Sequence, residues 1–82
     1  MRLTRVTESG DVEVDDVGAA LAKLAAYEDA HEATQAEYDR VAALIESRRA
    51  EGRLRGSTSN QLIAQKMSAK AVLVLFESHG VE

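Results

Sequence analysis

AVLVLF, residues Ala71 to Phe76, decides the fold of this chain. Six consecutive apolar residues suit a buried strand as well as a buried stretch of helix, and periodicity cannot separate the two. The flanks favour a helix. Upstream, residues 64–71 read AQKMSAKA, rich in helix formers, and downstream Gly80 stands where the left-handed residue after a helix end belongs. The reading is therefore a C-terminal helix over residues 60–80, capped by Thr58 with Gln61 or by Ser59 alone. It would carry Leu62, Ile63, Met67, Ala71, Val74 and Leu75 inward. If residues 71–77 formed a strand instead, it would join the N-terminal hairpin and the fold would be α+β.

Residues 52–59, GRLRGSTS, form the one evident linker, flexible and basic. Ahead of it lies a helical hairpin over residues 16–51. Its first helix contains VGAALAKLAAYED, residues Val17 to Asp29, in which Val17, Ala20, Leu21, Leu24 and Tyr27 recur at three- and four-residue spacing. Leu21 and Leu24 are its inward anchors, and Ala19, Ala22, Ala26 and Ala30 make a flatter second face. Thr34 to Glu37 has the T-x-x-E form of a capping box, which predicts a bend near His31 to Thr34 and a second helix from Gln35 to about Ala50. Tyr38, Val41, Ala42, Leu44, Ile45 and Arg48 fall on one side of it. The alternative is one unbroken helix from Asp16 to Ala50.

At the front, Leu3 and Val6 precede a turn at Glu8 to Asp11, and Val12, Glu13 and Val14 alternate apolar and acidic residues. These are the marks of a short β-hairpin. Asp15 and Asp16 close it and supply capping carboxylates to the helix that follows. The fold class is thus mainly α: a β-hairpin over residues 1–15, an antiparallel helical hairpin, and a third helix at the C-terminus.

With 82 residues, the chain has room for one small domain, and with no cysteine it has no covalent staple. Aromatic residues make up only 4% of it, so Ala, Leu, Val and Ile must fill the core. A chain this small commonly completes its burial by oligomerising, and a homo-oligomer, most simply a dimer, is expected, with Ala19, Ala22, Ala26 and the AVLVLF run as contacts. The start of the sequence is polar and the longest apolar run is far too short to span a bilayer, so the chain reads as cytoplasmic, without membrane contact. The net charge of −4 conceals a polarity: three basic residues against ten acidic ones through Asp39, then seven basic against four acidic. Such an asymmetry favours a directed protein contact.

Catalytic chemistry finds no support. The two histidines, His31 and His79, have no convergent second ligand and read as helix-end residues, and no nucleophile elbow or phosphate-cradling glycine pattern is present. The expectation is a non-enzyme without cofactor or metal. Arg48, Arg49, Arg53 and Arg55 could hold phosphates, but a nucleic-acid domain normally presents a dominant basic face and this chain is acidic.

Arg2-Leu3-Thr4, a turn with Gly10, and then Ala20, Leu21, Lys23, Leu24, Ala25, Tyr27, Glu28 and Asp29 resemble the RLT…G…A-x-x-KLAxYED pattern of small phage and prophage proteins, a family largely of unknown function. The resemblance covers the first half of the chain; AHEATQ replaces the Gly-Leu-Thr-Pro usual after it. It implies a phage role inside a bacterial host. Small acidic phage proteins often inhibit host nucleases stoichiometrically, so the leading expectation is an anti-defence, anti-CRISPR-type inhibitor of a host defence or nucleic-acid-handling protein. Its partner-binding residues would be Asp11, Glu13, Asp15, Asp16, Tyr27, Glu28, Asp29 and Glu32. The alternatives are a small phage DNA-binding regulator using Arg48 to Arg55, and a structural homo-oligomer.

Overall fold

The computed structural model describes residues 1–82 and contains β1 (Thr4–Val6), β2 (Val12–Val14), α1 (Val17–Ala50) and α2 (Gly56–Ser78). The chain divides into two compact units, Met1–Ala30 and His31–Glu82. No helix is long and apolar enough to cross a membrane.

In the first unit, β1 and β2 pair antiparallel with Thr4 opposite Val14, Arg5 opposite Glu13 and Val6 opposite Val12. The turn closes through Gly10 N–H to the Thr7 carbonyl at 2.9 Å and Thr7 N–H to the Asp11 carbonyl at 2.8 Å. Gly10 sits at φ 89°, the left-handed position that ends a three-residue hairpin loop and that glycine occupies without a steric penalty. Asp16 starts α1 as its sequence position predicts: its Oδ1 accepts the Ala19 N–H at 2.9 Å, and its carbonyl accepts the Ala20 N–H at 3.0 Å.

The bend expected at His31 to Thr34 does not form, so the chain has two helices rather than three. α1 runs unbroken over 34 residues, and Thr34 to Glu37 lie in its interior. The reason is partly local and partly tertiary. Residues 30–37 contain three alanines and no glycine or proline to stop the helix. Further on, Gln35 Nε2 reaches Asp39 at 3.1 Å and Arg40 forks onto Glu37 at 2.7 and 3.1 Å, supporting successive turns. Within the second unit, the His31 ring meets Phe76 of α2 edge-on at 5.6 Å, so helical geometry at His31 is rewarded by a contact. His31 is therefore a half-buried residue in mid-helix, not a helix-end cation.

α1 stops at Gly52, whose φ of 71° allows the paired closing bonds Gly52 N–H to Arg49 carbonyl and Arg53 N–H to Arg48 carbonyl at 3.1 and 2.8 Å. α2 begins at Gly56, several residues before the expected start. Arg55 occupies its N-cap without a side-chain hydrogen bond, so Thr58 and Ser59 are not the cap. Ala71 to Phe76 are helical, and Gly80 closes α2 through the same pair of bonds, to Glu77 at 3.0 Å and from Val81 to Phe76 at 2.9 Å.

The helical hairpin expected over residues 16–51 is absent, and the later part of α1 pairs antiparallel with α2 instead. Val41, Ile45 and Leu62 form the buried cluster of this pair, with Leu44 and Leu54 against it, and Ala69 and Leu73 are buried further along α2. On α2 the covered positions are Ser59, Leu62, Lys66, Ala69, Leu73 and Phe76, buried or half-buried at alternating three- and four-residue steps. Of the side chains expected inward only Leu62 is buried; Ile63, Met67, Ala71, Val74 and Leu75 are exposed.

Two substitutions test this architecture. Proline is favoured at the first position of a helix but costs about 3 kcal/mol in a helix interior. Gln35→Pro should therefore destabilise the protein by about that much in urea unfolding, whereas a helix beginning at Gln35 would tolerate it. Ile45→Ala should cost about 2–5 kcal/mol, the usual range for emptying a buried aliphatic site.

Candidate protein-binding surface

The hairpin acids are drawn into the first unit's own structure. Arg5, held opposite Glu13 by the strand register, donates from Nε to Glu13 Oε2 at 3.0 Å. Its Nη1 and Nη2 donate to Asp15 Oδ2 and Oδ1 at 2.8 and 3.0 Å. This two-point fork is the geometry in which a guanidinium binds carboxylate best. Hydrogen bonds to Asp15 and then to Glu13 raise the Arg5 pKa above its ordinary value, and the Arg5 bond lowers that of Asp15. Asp16 is occupied as the helix cap, and Asp11 accepts the Ser9 hydroxyl at 3.2 Å inside the turn.

The start of α1 is turned differently from the expected orientation. Its half-buried residues are Ala19, Ala20 and Lys23, and Leu3 of the hairpin segment is half-buried as well. A shallow cleft runs between Leu3 and Thr4 on one side and Ala20, Leu24 and Tyr27 on the other. Lys23 donates to the Met1 carbonyl, and its ammonium lies 5.9 Å from the Tyr27 ring centroid. The consequence is that Leu21 and Leu24 are not inward anchors: Val17, Leu21 and Leu24 remain 62%, 60% and 53% exposed. Spaced by four, three and four residues, Val17, Leu21, Leu24 and Glu28 share one face of α1. Tyr27 borders that face at 54% exposure, and Glu28 and Asp29 are exposed with no hydrogen-bond or ion-pair partner.

The eight residues expected to bind a partner therefore separate into groups. Asp11, Glu13, Asp15 and Asp16 are engaged inside the hairpin and its junction with α1. Tyr27, Glu28 and Asp29 stand free beside the exposed leucines. Glu32 belongs to the second unit and is exposed there. The leucines themselves were missed as surface residues. The available signal was Ala19 and Ala20, whose small side chains let a strand approach the helix more closely than leucine would.

The basic cluster is also largely occupied. Arg48 is half-buried, Arg49 pairs with Glu46 at 2.7 Å, and Arg53 pairs with Glu51 at 2.8 Å. Arg55 donates to the Gly52 carbonyl at 3.2 Å. No group of three or more His, Asp or Glu residues is arranged to hold a metal ion. No family model, curated protein or solved structure matches this chain.

The Arg5 fork has a measurable signature. Because the folded pKa of Asp15 lies below its ordinary value of 3.8, the fork contributes stability above that value and loses it as pH falls through the folded pKa. A carboxyl carbon titration by NMR should place Asp15 below ordinary aspartates, and Arg5→Ala should return it to 3.8. An unchanged Asp15 titration in the variant would remove the fork from the account.

Proposed function

We propose that this chain is a non-catalytic protein-binding module whose contact surface is the exposed face of early α1. The observation that carries the reading is the alignment of Val17, Leu21 and Leu24, each more than half exposed, with the unpaired carboxylates of Glu28 and Asp29. Large apolar side chains in a row keep water unfavourably ordered, and a covering partner recovers roughly 25 cal/mol for each Å² removed from solvent. The free acids select the partner's chemistry: an apolar patch rimmed by lysine or arginine, as nucleic-acid-handling proteins present. Tyr27 adds a rigid amphipathic anchor of the kind that dominates binding energy. Asp11, Glu13, Asp15 and Asp16 act on the partner through their field while holding the hairpin on the helix.

The resemblance of Arg2-Leu3-Thr4 and Lys23 to Asp29 to the phage pattern supports a setting inside a bacterial host. The function proposed is stoichiometric inhibition of a host defence nuclease, CRISPR effectors included. Direct nucleic-acid binding draws less support, because Arg49, Arg53 and Arg55 already have partners in the chain.

Expression in cells whose CRISPR immunity targets a phage should restore plaquing of that phage by orders of magnitude. The variant Leu21→Ser, Leu24→Ser, Glu28→Lys, Asp29→Lys should abolish the rescue with its helical circular dichroism intact, since all four side chains are exposed. Soluble protein that rescues plaquing against no CRISPR type would overturn the anti-CRISPR reading. Tight, salt-sensitive retardation of duplex DNA would replace it with the regulator reading.

A further inference from the structure

Along one flank of its seam the second unit carries a groove with a volume of about 550 Å³. Small-molecule sites have volumes of this order, lie between packed helices, and combine a mostly apolar lining with a few placed polar groups. Tyr38, Ile45 and Arg49 of α1 form one wall, at seven- and four-residue steps that keep them on one face. Ile63, Met67 and Ala71, spaced by four, form the apolar stripe of the other. From Ile63 to Ala71 the groove runs about 12 Å along α2. Every charged group lining it is a cation, although the whole chain carries a net charge of −4. Arg49 is neutralised by Glu46 at 2.7 Å. Lys66 and Lys70 are not: neither belongs to an ion pair, and no acid stands three or four residues from either along α2. One helical turn apart, the two lysines repel each other. Both ammoniums nevertheless stand 5.8 Å from the centroid of the same Tyr38 ring, whose face offsets only part of that repulsion.

We infer that this groove binds a fatty carboxylate of medium chain length, its head between Lys66 and Lys70 and its alkyl tail along Ile45, Ile63 and Met67. The head is assigned from the donors. Two unpaired ammoniums supply a charge-assisted hydrogen bond to each oxygen of one carboxylate, and its charge removes their mutual repulsion. A phosphate is better held by a free guanidinium fork or a helix N-terminus. Here Arg49 is taken by Glu46, and α2 begins at Gly56, seven residues before Ile63. The tail is assigned from the rest of the lining. Ile45, Ile63 and Ala71 offer only apolar surface, Met67 is unbranched and adapts to a flexible chain, and burying alkyl carbon against them is favourable. The inference is independent of the early-α1 surface, which belongs to the other unit.

Sodium decanoate, kept below its micelle concentration, is the probe for an NMR titration of the whole chain. It should shift the amide resonances of Tyr38, Ile63, Met67 and Lys70 saturably. Acetate has the head without the tail, and decyltrimethylammonium has the tail with the opposite charge; each should bind more weakly by about tenfold or more. Lys66→Gln with Lys70→Gln should weaken decanoate by about tenfold. Met67→Glu, at a side chain 67% exposed and therefore tolerant of charge, should weaken it as well. Absence of saturable shifts would overturn the inference, as would shifts confined to early α1. Equal binding of acetate would reduce the groove to a simple anion site, and equal binding of decyltrimethylammonium would remove the lysines from the account; either result overturns the assignment. So would a leucine- and glutamate-containing helical peptide that saturates these resonances where decanoate does not, since the groove would then belong to a protein helix.

Discussion

The packing of Leu62 of α2 against Val41 and Ile45 of α1 is the contact on which the second unit depends, and Ala69 and Leu73 are buried further along α2. These five side chains are the whole buried apolar core, and only Val41 is sealed completely. So small an interior leaves little surplus over the conformational entropy lost on folding. The closing glycine geometry at Gly52 is therefore as consequential as the leucines. It turns the chain within a few residues and sets Leu54 against the Val41, Ile45 and Leu62 cluster, so the connection itself adds burial. Around the rim, the Tyr38 ring under two lysines and the His31–Phe76 contact extend the seam with side chains that keep one polar end in water.

What could be read from the sequence is what local chemistry decides. The hairpin at Thr4 to Val14, the Asp16 cap, the helical state of Ala71 to Phe76 and the closing role of Gly80 all follow from a few neighbouring residues, and all are present. Two of the misread features are decided at a distance. Thr34 to Glu37 has the composition of a helix start, but a capping box forms only where the backbone before it has already left the helix, and the His31–Phe76 contact favours the helical alternative. In α2 the sequence offers two stripes of equal spacing, one through Leu62, Ala69 and Leu73 and one through Ile63, Met67 and Val74. Spacing cannot choose between them. The narrower stripe, with Ser59 and Ala69 in it, packs inward because small residues let the two helix axes draw close.

The same distinction governs the candidate surface. A count of charges along the chain sees ten acids before Arg40 and treats them alike. The structure separates those placed by strand register and capping geometry within reach of a donor from those on an open helix face. Glu13 and Asp15 meet Arg5 because antiparallel pairing puts residue 5 opposite residue 13. Glu28 and Asp29 have no such neighbour, since no lysine or arginine stands three or four residues from either along α1, and His31 turns its ring to Phe76. Desolvating a free carboxylate against a partner's cation creates a new ion pair, whereas burying one already paired to Arg5 exchanges one partner for another. The proposed contact for that reason rests on Glu28 and Asp29, although the hairpin holds most of the first unit's negative charge.

A two-helix unit has one internal seam, and a helix bearing two apolar stripes can place only one of them there. Lengthening α1 would not help, because a longer helix adds residues along the existing seam and none on the far side of α2. Recruiting the outer stripe inward would require α2 to rotate about its axis by more than a third of a turn. That rotation would expose Leu62, Ala69 and Leu73, and would carry Lys66 and Lys70 away from the Tyr38 ring. The exposed Ile63, Met67, Val74 and Leu75 are thus a fixed consequence of the packing that buries the other stripe, not a surface the isolated unit could remove by adjusting itself. Ile63, Met67 and Ala71 border a groove with Tyr38, Ile45 and Arg49 of α1, so part of this apolar surface lies at the edge of the seam itself.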